Sequence, residues 1–123
     1  MTAPSTVNLA DKLAQFSDHW NPRIVGRYNG NEVRLAKLKG EFVWHSHADT
    51  DELFLILKGR LTIEFRDGVR TLAPGEFLVV PKGVEHRPVA AEEVELLIMD
   101  REGEPNTGAE PASALTRHRL DSI

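Results

Sequence analysis

The stretch WHSHADTDELF, residues 44–54, sets two histidines one residue apart, adds three acids, and runs into the apolar segment LFLIL at 53–57. Residues 43–47 read as a strand, in which side chains two apart share a face, so Val43, His45 and His47 point one way while Trp44 and Ser46 point the other. If Val43 faces an interior, both imidazoles face it too. A turn at 48–51 then returns the chain, and Glu52, Phe54 and Ile56 fall on one face of the next strand. A carboxylate on the face of Phe54 needs a cation, because burying a lone charge costs several kcal/mol or more.

A third histidine comes from far along the chain. In PGEFLVVPKGVEH, residues 74–86, turn signals at Pro74-Gly75 and at 81–83 flank a strand at 77–80, and His86 follows. Together His45, His47, Glu52 and His86 offer three neutral nitrogens and one charged oxygen. Such a set suits one divalent first-row transition metal (iron, manganese, zinc, nickel or cobalt) in octahedral coordination, with about two positions left for water or a bidentate oxygen ligand. A structural zinc more often fills four tetrahedral places and stops. Asp49 and Asp51 lie in the inferred turn and read as solvated or turn-stabilising. His19 and His118 have no partner pattern and read as structural or exposed.

Outward from this stretch, turn signals at Asn29-Gly30, Lys39-Gly40, Lys58-Gly59, Asp67-Gly68 and Pro74-Gly75 cut residues 23–100 into strand-length pieces. Leu61, Ile63 and Phe65 alternate with Thr62, Glu64 and Arg66, as a half-buried strand should. The class is all-β, a sandwich or a barrel. Residues 53–57 and 94–99 are apolar at both parities apart from Glu95, so both faces of those strands must be covered. One domain supplies one interior. The outer cover must come from an N-terminal helix, the tail or a second subunit; a homodimer is the expectation, with the helix alone as the alternative. That helix is read at 8–16, where Leu9, Leu13 and Phe16 repeat at helical spacing behind Asn8 as N-cap, with Asp11 three positions on. The tail carries Pro105, Gly108 and Pro111 and reads as irregular loop, followed by a weak helical pattern at 115–120. The chain thus divides into a helical arm at 1–20, a barrel at 21–100 and a tail at 101–123.

Composition narrows the function classes. A chain of 123 residues fits one domain, and 41% hydrophobic with 28% charged residues describes a packed protein rather than a disordered one. A net charge of −4 lacks the basic footprint of a nucleic-acid or anionic-membrane partner. With no cysteine, neither a disulfide framework nor a thiolate metal site is open, and any metal must use nitrogen and oxygen. The start, MTAPSTVNLADKLAQF, shows no basic region followed by an apolar one, and 53–57 is far too short to span a bilayer. A cytoplasmic address is expected.

At this point the spacings match a known pattern. Gly40, His45, His47, Glu52 and Gly59 form one motif, and Gly75, Pro81, Gly83 and His86 form a second. The central two-thirds of the chain resembles a cupin. Two departures stand out: four residues rather than five separate Gly40 from His45, and Ala90 stands where the second motif commonly ends in asparagine. Fifteen residues between Gly59 and Gly75 look like the compact microbial form, often grouped with phosphomannose isomerases. The resemblance implies a small jelly-roll β-barrel, a metal held inside it by these four residues, and frequent dimerisation. A small oxygen-rich ligand such as a carboxylate, enediol or sugar derivative is the expected partner. Isomerisation, decarboxylation and dioxygenation are all open as reactions, and a non-catalytic binding or sensing module of the same fold is the alternative. No separate catalytic base is evident. Val43, Phe54, Ile56 and Val84 read as core first and as pocket wall only if the mouth is open; Tyr28, Lys37, Glu85 and Arg87 are candidates for polar groups there.

Overall fold

The computed structural model describes residues 2–108 and 114–123. Among the described residues one short helix, α1 (Leu9–Leu13), precedes seven strands: β1 (Arg23–Tyr28), β2 (Asn31–Glu41), β3 (Glu52–Lys58), β4 (Leu61–Phe65), β5 (Gly68–Leu72), β6 (Phe77–Val80) and β7 (His86–Arg101). Every strand pair is antiparallel, and the fold is the expected all-β jelly roll.

β7 is the seam. Its later half pairs with β2 (Leu38↔Val94 to Asn31↔Arg101) and with β3 (Ile56↔Leu96, Leu53↔Met99), giving the order β1-β2-β7-β3-β6. Its earlier half pairs with β4 (Phe65↔His86, Thr62↔Val89), which carries β5. Between the halves the register slips: Leu38 faces Val94 while Gly40 faces Ala90, so residues 91–93 bulge outward. A strand bent in this way can serve two sheets. The β3–β4 turn packs into the bend, where Gly59 has φ +86 and a Cβ would meet Glu93 O at 2.7 Å. Only glycine fits there. Continuous pairing through Pro88 was not legible in the sequence, which marked only 94–99 as strand; Pro88 stands opposite Ile63 with no N–H to offer that ladder.

Inward residues of both halves make the main core, including Leu38, Phe54, Ile56, Leu61, Ile63, Leu96 and Ile98. The alternation in β4 holds, with Leu61 and Ile63 at 0% exposure. A second, smaller cluster lies outside the sheet: Leu13, Phe16, Val25 and Leu35, flanked by Leu9, Leu57, Leu97 and Ile123. This is where α1 covers the doubly apolar strands. The helix is shorter than the 8–16 reading, but Asn8 Oδ1 does cap it, accepting from Asp11 N at 2.9 Å, and Phe16 still reaches the cluster from beyond its end. Burying a side chain of this size contributes roughly 1.5–3 kcal/mol.

Two local expectations need correction. Residues 42–47 do not form a strand; only His45 bridges, to His86. The segment instead hangs from the start of β7, through Phe42 N to Pro88 O at 3.0 Å and the reciprocal His45–His86 pair at 3.0 and 2.9 Å. No helix forms at 115–120, where the chain makes turns and bends before Ile24 and Ser122 bridge. Pro111, part of the loop reading, lies outside the described residues.

Candidate metal centre

The narrow hydrogen-bonded pairing of His45 with His86 sends both side chains to the same side of the ladder, and their rings lie 4.3 Å apart. His47 is held by its own carbonyl, which accepts from Gly83 N at 2.8 Å, so the turn before His86 also anchors the first histidine segment. Glu52 opens β3 opposite Val80. The structure thereby brings His45, His47, Glu52 and His86 together, each offering one ligand atom with all four atoms within 4.8 Å of one another. Their exposures are 1%, 2%, 4% and 0%.

Hydrogen bonds fix the imidazole tautomers. A carbonyl oxygen can only accept, so His45 Nδ1–H donates to Val43 O at 2.9 Å and His86 Nδ1–H to Val84 O at 2.9 Å. His47 Nδ1–H donates to the Glu104 carboxylate, again at 2.9 Å. Each neutral ring therefore turns an unprotonated Nε2 away from its anchor. Glu52 Oε1 lies 3.2 Å from His86 Nε2 and Oε2 lies 3.4 Å from His47 Nε2, the latter without hydrogen-bond geometry, which leaves that nitrogen buried and unpartnered. Lone pairs facing a carboxylate in a dry hollow repel each other unless a proton or a cation sits between them. Two donors each about 2.1 Å from one ion and at right angles lie about 3 Å apart, close to both of these separations. The residues fit a divalent ion.

The electrostatics agree. Burial, then the repulsion of His86, pushes His45 down to about 4. Burial lowers His47 as well, but the Glu52 and Glu104 carboxylates outweigh it and the net shift is upward. Burial would raise Glu52, yet His47 and His86 hold it well below the usual carboxylate range.

Behind Glu52 lies a second buried polar group. Arg34 Nε and Nη2 donate to Glu32 Oε1 at 3.0 and 2.7 Å, Nη2 also to Glu104 O at 2.9 Å, and Nη1 to Asp100 Oδ2 at 3.3 Å. Burial and the neighbouring Glu52 charge raise Asp100 well above the usual carboxylate range, and its Oδ1 is buried without a hydrogen-bond partner. A narrow cavity of ≈ 30 Å³ runs between these groups and the histidine cluster, walled by Trp20, Phe42, Phe54 and Ile98, with His45, Glu52, Arg34, Asp100 and Asn106 supplying its polar atoms.

Asp49 and Asp51 are exposed and stay in the turn, where Asp51 Oδ1 accepts from Lys82 N at 2.9 Å. His19 meets Glu93 at 2.7 Å on the surface, and His118 is exposed. The four polar candidates do not line the cavity. Tyr28 is 62% exposed, Lys37 Nζ donates to Phe16 O, Glu85 pairs with Arg66, and Arg87 pairs with Glu64. Of the apolar candidates Phe54 reaches the cavity; Ile56 lies in the core, and Val43 and Val84, partly buried, pack against it. Sequence reasoning missed Glu104, Arg34, Asp100 and Asn106. A signal existed for Arg34: in NEVRLAKL, Glu32 and Arg34 share the parity of Ala36 and Leu38, placing two charges on a core-facing row.

The chain is similar to known proteins in sequence and fold. The family model described as Cupin domain matches residues 31–100. A crystallised cupin-2 domain containing protein from Shewanella frigidimarina is 48% identical and superposes with a TM-score of 0.77, over 78% of this chain and 94% of that one. Protein NMB1881 from Neisseria meningitidis is 34% identical with a TM-score of 0.73, over 80% of this chain and 100% of that one. The uncharacterized protein YdbB of Bacillus subtilis is 44% identical over 78 residues, a match spanning 63% of each chain.

Proposed function

This chain belongs to the cupin domain family, and from that premise we propose that His45, His47, Glu52 and His86 hold one divalent first-row transition ion to which a small oxygen-rich molecule coordinates. A carboxylate, an enediol or a sugar derivative has the right chemistry. The observation that carries the reading is the hollow itself: inward Nε2 atoms, an anionic Glu52 and an unpartnered His47 Nε2, all buried. When bound, such an ion supplies Lewis-acid polarisation and an acidified water. The chain's own residues do the rest. Val43 O, Val84 O and Glu104 keep the Nδ1 protons in place, which leaves every Nε2 free to donate. Phe42, Phe54 and Trp20 exclude bulk water, and the Asp100 carboxyl stands at the cavity wall.

Isomerase, decarboxylase and dioxygenase chemistry all fit this arrangement. A second reading rests on the same geometry: the centre binds its ligand without turnover. The proposal includes a homodimer: Leu53, Leu55, Phe77 and Val79 share the outer face of β3 and β6, outside the cluster that α1 covers, with Phe77 65% and Val79 44% exposed.

Elemental analysis of protein purified without a chelating tag is the test. About one equivalent of a first-row ion per chain is expected, lost in His47→Ala. A panel of hydroxy acids, enediols and sugar phosphates, tried with that ion, then separates the readings: turnover abolished by His47→Ala marks an enzyme, and tight binding without turnover marks a binder. Failure of the wild type to retain or take up any such ion overturns the proposal.

A further inference from the structure

The stretch 104–108 reaches the metal centre from outside the strands. Glu104 accepts from His47 Nδ1–H at 2.9 Å across 57 residues of sequence. Gly108, at φ +58, packs so closely over the histidine segment that a Cβ would overlap Ser46 O. Between them Asn106, 8% exposed, uses its whole amide. Its Nδ2 donates to Trp20 O at 3.3 Å and Leu115 O at 2.8 Å, and its Oδ1 accepts from Arg117 N at 2.6 Å. Trp20, held at φ 59, stacks on Phe42 with centroids 4.6 Å apart, and Phe42 meets His45 edge-on at 5.2 Å. The stretch is thus fastened to His47 on one side and to Trp20, Leu115 and Arg117 on the other.

We propose that Glu104 is a positioning residue for His47, and that through it the seating of residues 104–108 and the loading of the four-residue cage with a divalent ion stabilise each other. This rests on the metal reading above. His45 and His86 are oriented by backbone carbonyls close to their own positions, but His47 is oriented by a side chain on a stretch that no strand holds. A carboxylate on Nδ1–H makes the opposite nitrogen a better donor to a metal, and a metal on that nitrogen makes Nδ1–H a better donor to the carboxylate. Each event therefore favours the other. By linkage, whatever factor the ion adds to the seating of 104–108, an intact seating adds to the affinity for the ion.

The test uses the full chain with Co²⁺ as the probe. Affinity is read by chelator competition, ligand geometry by the visible Co²⁺ spectrum, and seating by hydrogen exchange at the Arg117 amide. Glu104→Ala is expected to weaken Co²⁺ about 10–100-fold with an altered spectrum. Glu104→Gln, whose amide oxygen still accepts from Nδ1–H, recovers most of that loss. Asn106→Ala touches none of the four cage residues, yet weakens Co²⁺ about fivefold, and Co²⁺ raises Arg117 protection in the wild type by a similar factor. If Asn106→Ala does not fold, Thr107→Val removes the 3.0 Å hydroxyl contact with Thr116 and serves instead. A wild type that binds Co²⁺ while Glu104→Ala binds it equally well, or while Arg117 protection ignores the ion, overturns this inference and leaves the metal reading standing. A wild type that takes up no Co²⁺ removes both.

Discussion

At Arg34 a guanidinium that is 1% exposed sits among Glu32, Asp100 and a backbone carbonyl, whereas a short way along the same interior Glu52 sits among three imidazoles with no guanidinium of its own. Both are polar groups buried in an apolar barrel. The first carries a permanent cation and closes its own charge balance, because arginine does not deprotonate in proteins. The second reaches balance only by borrowing a proton or a metal ion. That difference separates a cluster that holds the fold together from one built to exchange its positive charge with solvent, and four experiments probe it.

The largest effect is expected at Arg34. Replacing it with methionine leaves Glu32 and Asp100 buried without their partner, a loss of about 3–5 kcal/mol of folding stability, measured by denaturant unfolding. A loss under 1 kcal/mol would mean that the cluster is not the self-balanced one.

Next comes the pH response of the metal-free protein. His45 titrates at about 4 in the folded state against 6.5 for a free histidine, so below pH 6.5 the unfolded chain takes up a proton that the folded chain refuses. Its contribution is complete above pH 6.5 and is lost as pH falls toward 4, by up to about 3 kcal/mol. His47, shifted upward, contributes with the opposite sign, present at low pH and lost as pH rises through its folded value. Asp100, also raised, is stabilising at low pH and loses that contribution as pH climbs above 3.8. Subtracting the stability curve of His45→Gln from that of the wild type isolates the His45 share. A difference that does not change between pH 6.5 and 4 would show that this ring is not held neutral.

Glu52→Gln ranks third. It removes the anion of the cage and is expected to weaken divalent-ion binding about 100-fold, about 2.7 kcal/mol, by chelator competition. It also removes a carboxylate that His47 and His86 hold well below its usual range, so the metal-free variant should lose stability at neutral pH, a loss that shrinks as the pH falls through the acidic range. The smallest effect belongs to Asp49→Asn, where binding should change by less than about twofold because the side chain is exposed in the turn. Reversal of these last two would mean that the wrong acid has been assigned to the cage.

Much of this was legible in the sequence, and the missing parts share a physical cause. Parity in HSH and in ELFLI, together with turn residues at regular intervals, marked the β class and the inward row of His45, His47 and Glu52, because those signals are local. The spacing to His86 made the cage recognisable. What escaped depends on contacts that period and spacing do not encode. Glu104 acts on His47 across an irregular stretch with no repeat to predict where it lands. The histidine segment keeps its side-chain directions without being a strand, since one bridge to β7 is enough to orient it. Tyr28, Lys37, Glu85 and Arg87 were plausible by composition but find partners or solvent on the outside. Glu32 and Arg34 were visible as charges at core parity, and they become intelligible only when register sets Asp100 opposite Glu32.

The position of β7 in the order of strands has a consequence for how the molecule comes into being. β2, β3 and β4 each find a partner in β7, and His86 at its start completes the histidine set. While the polypeptide is being synthesised, the preceding strands must wait with their edges unsealed, and the gain from closure arrives in one late step. Barrels dominated by such distant pairings fold in milliseconds to seconds rather than microseconds. The nascent chain is accordingly most exposed to aggregation and proteolysis just before β7 emerges.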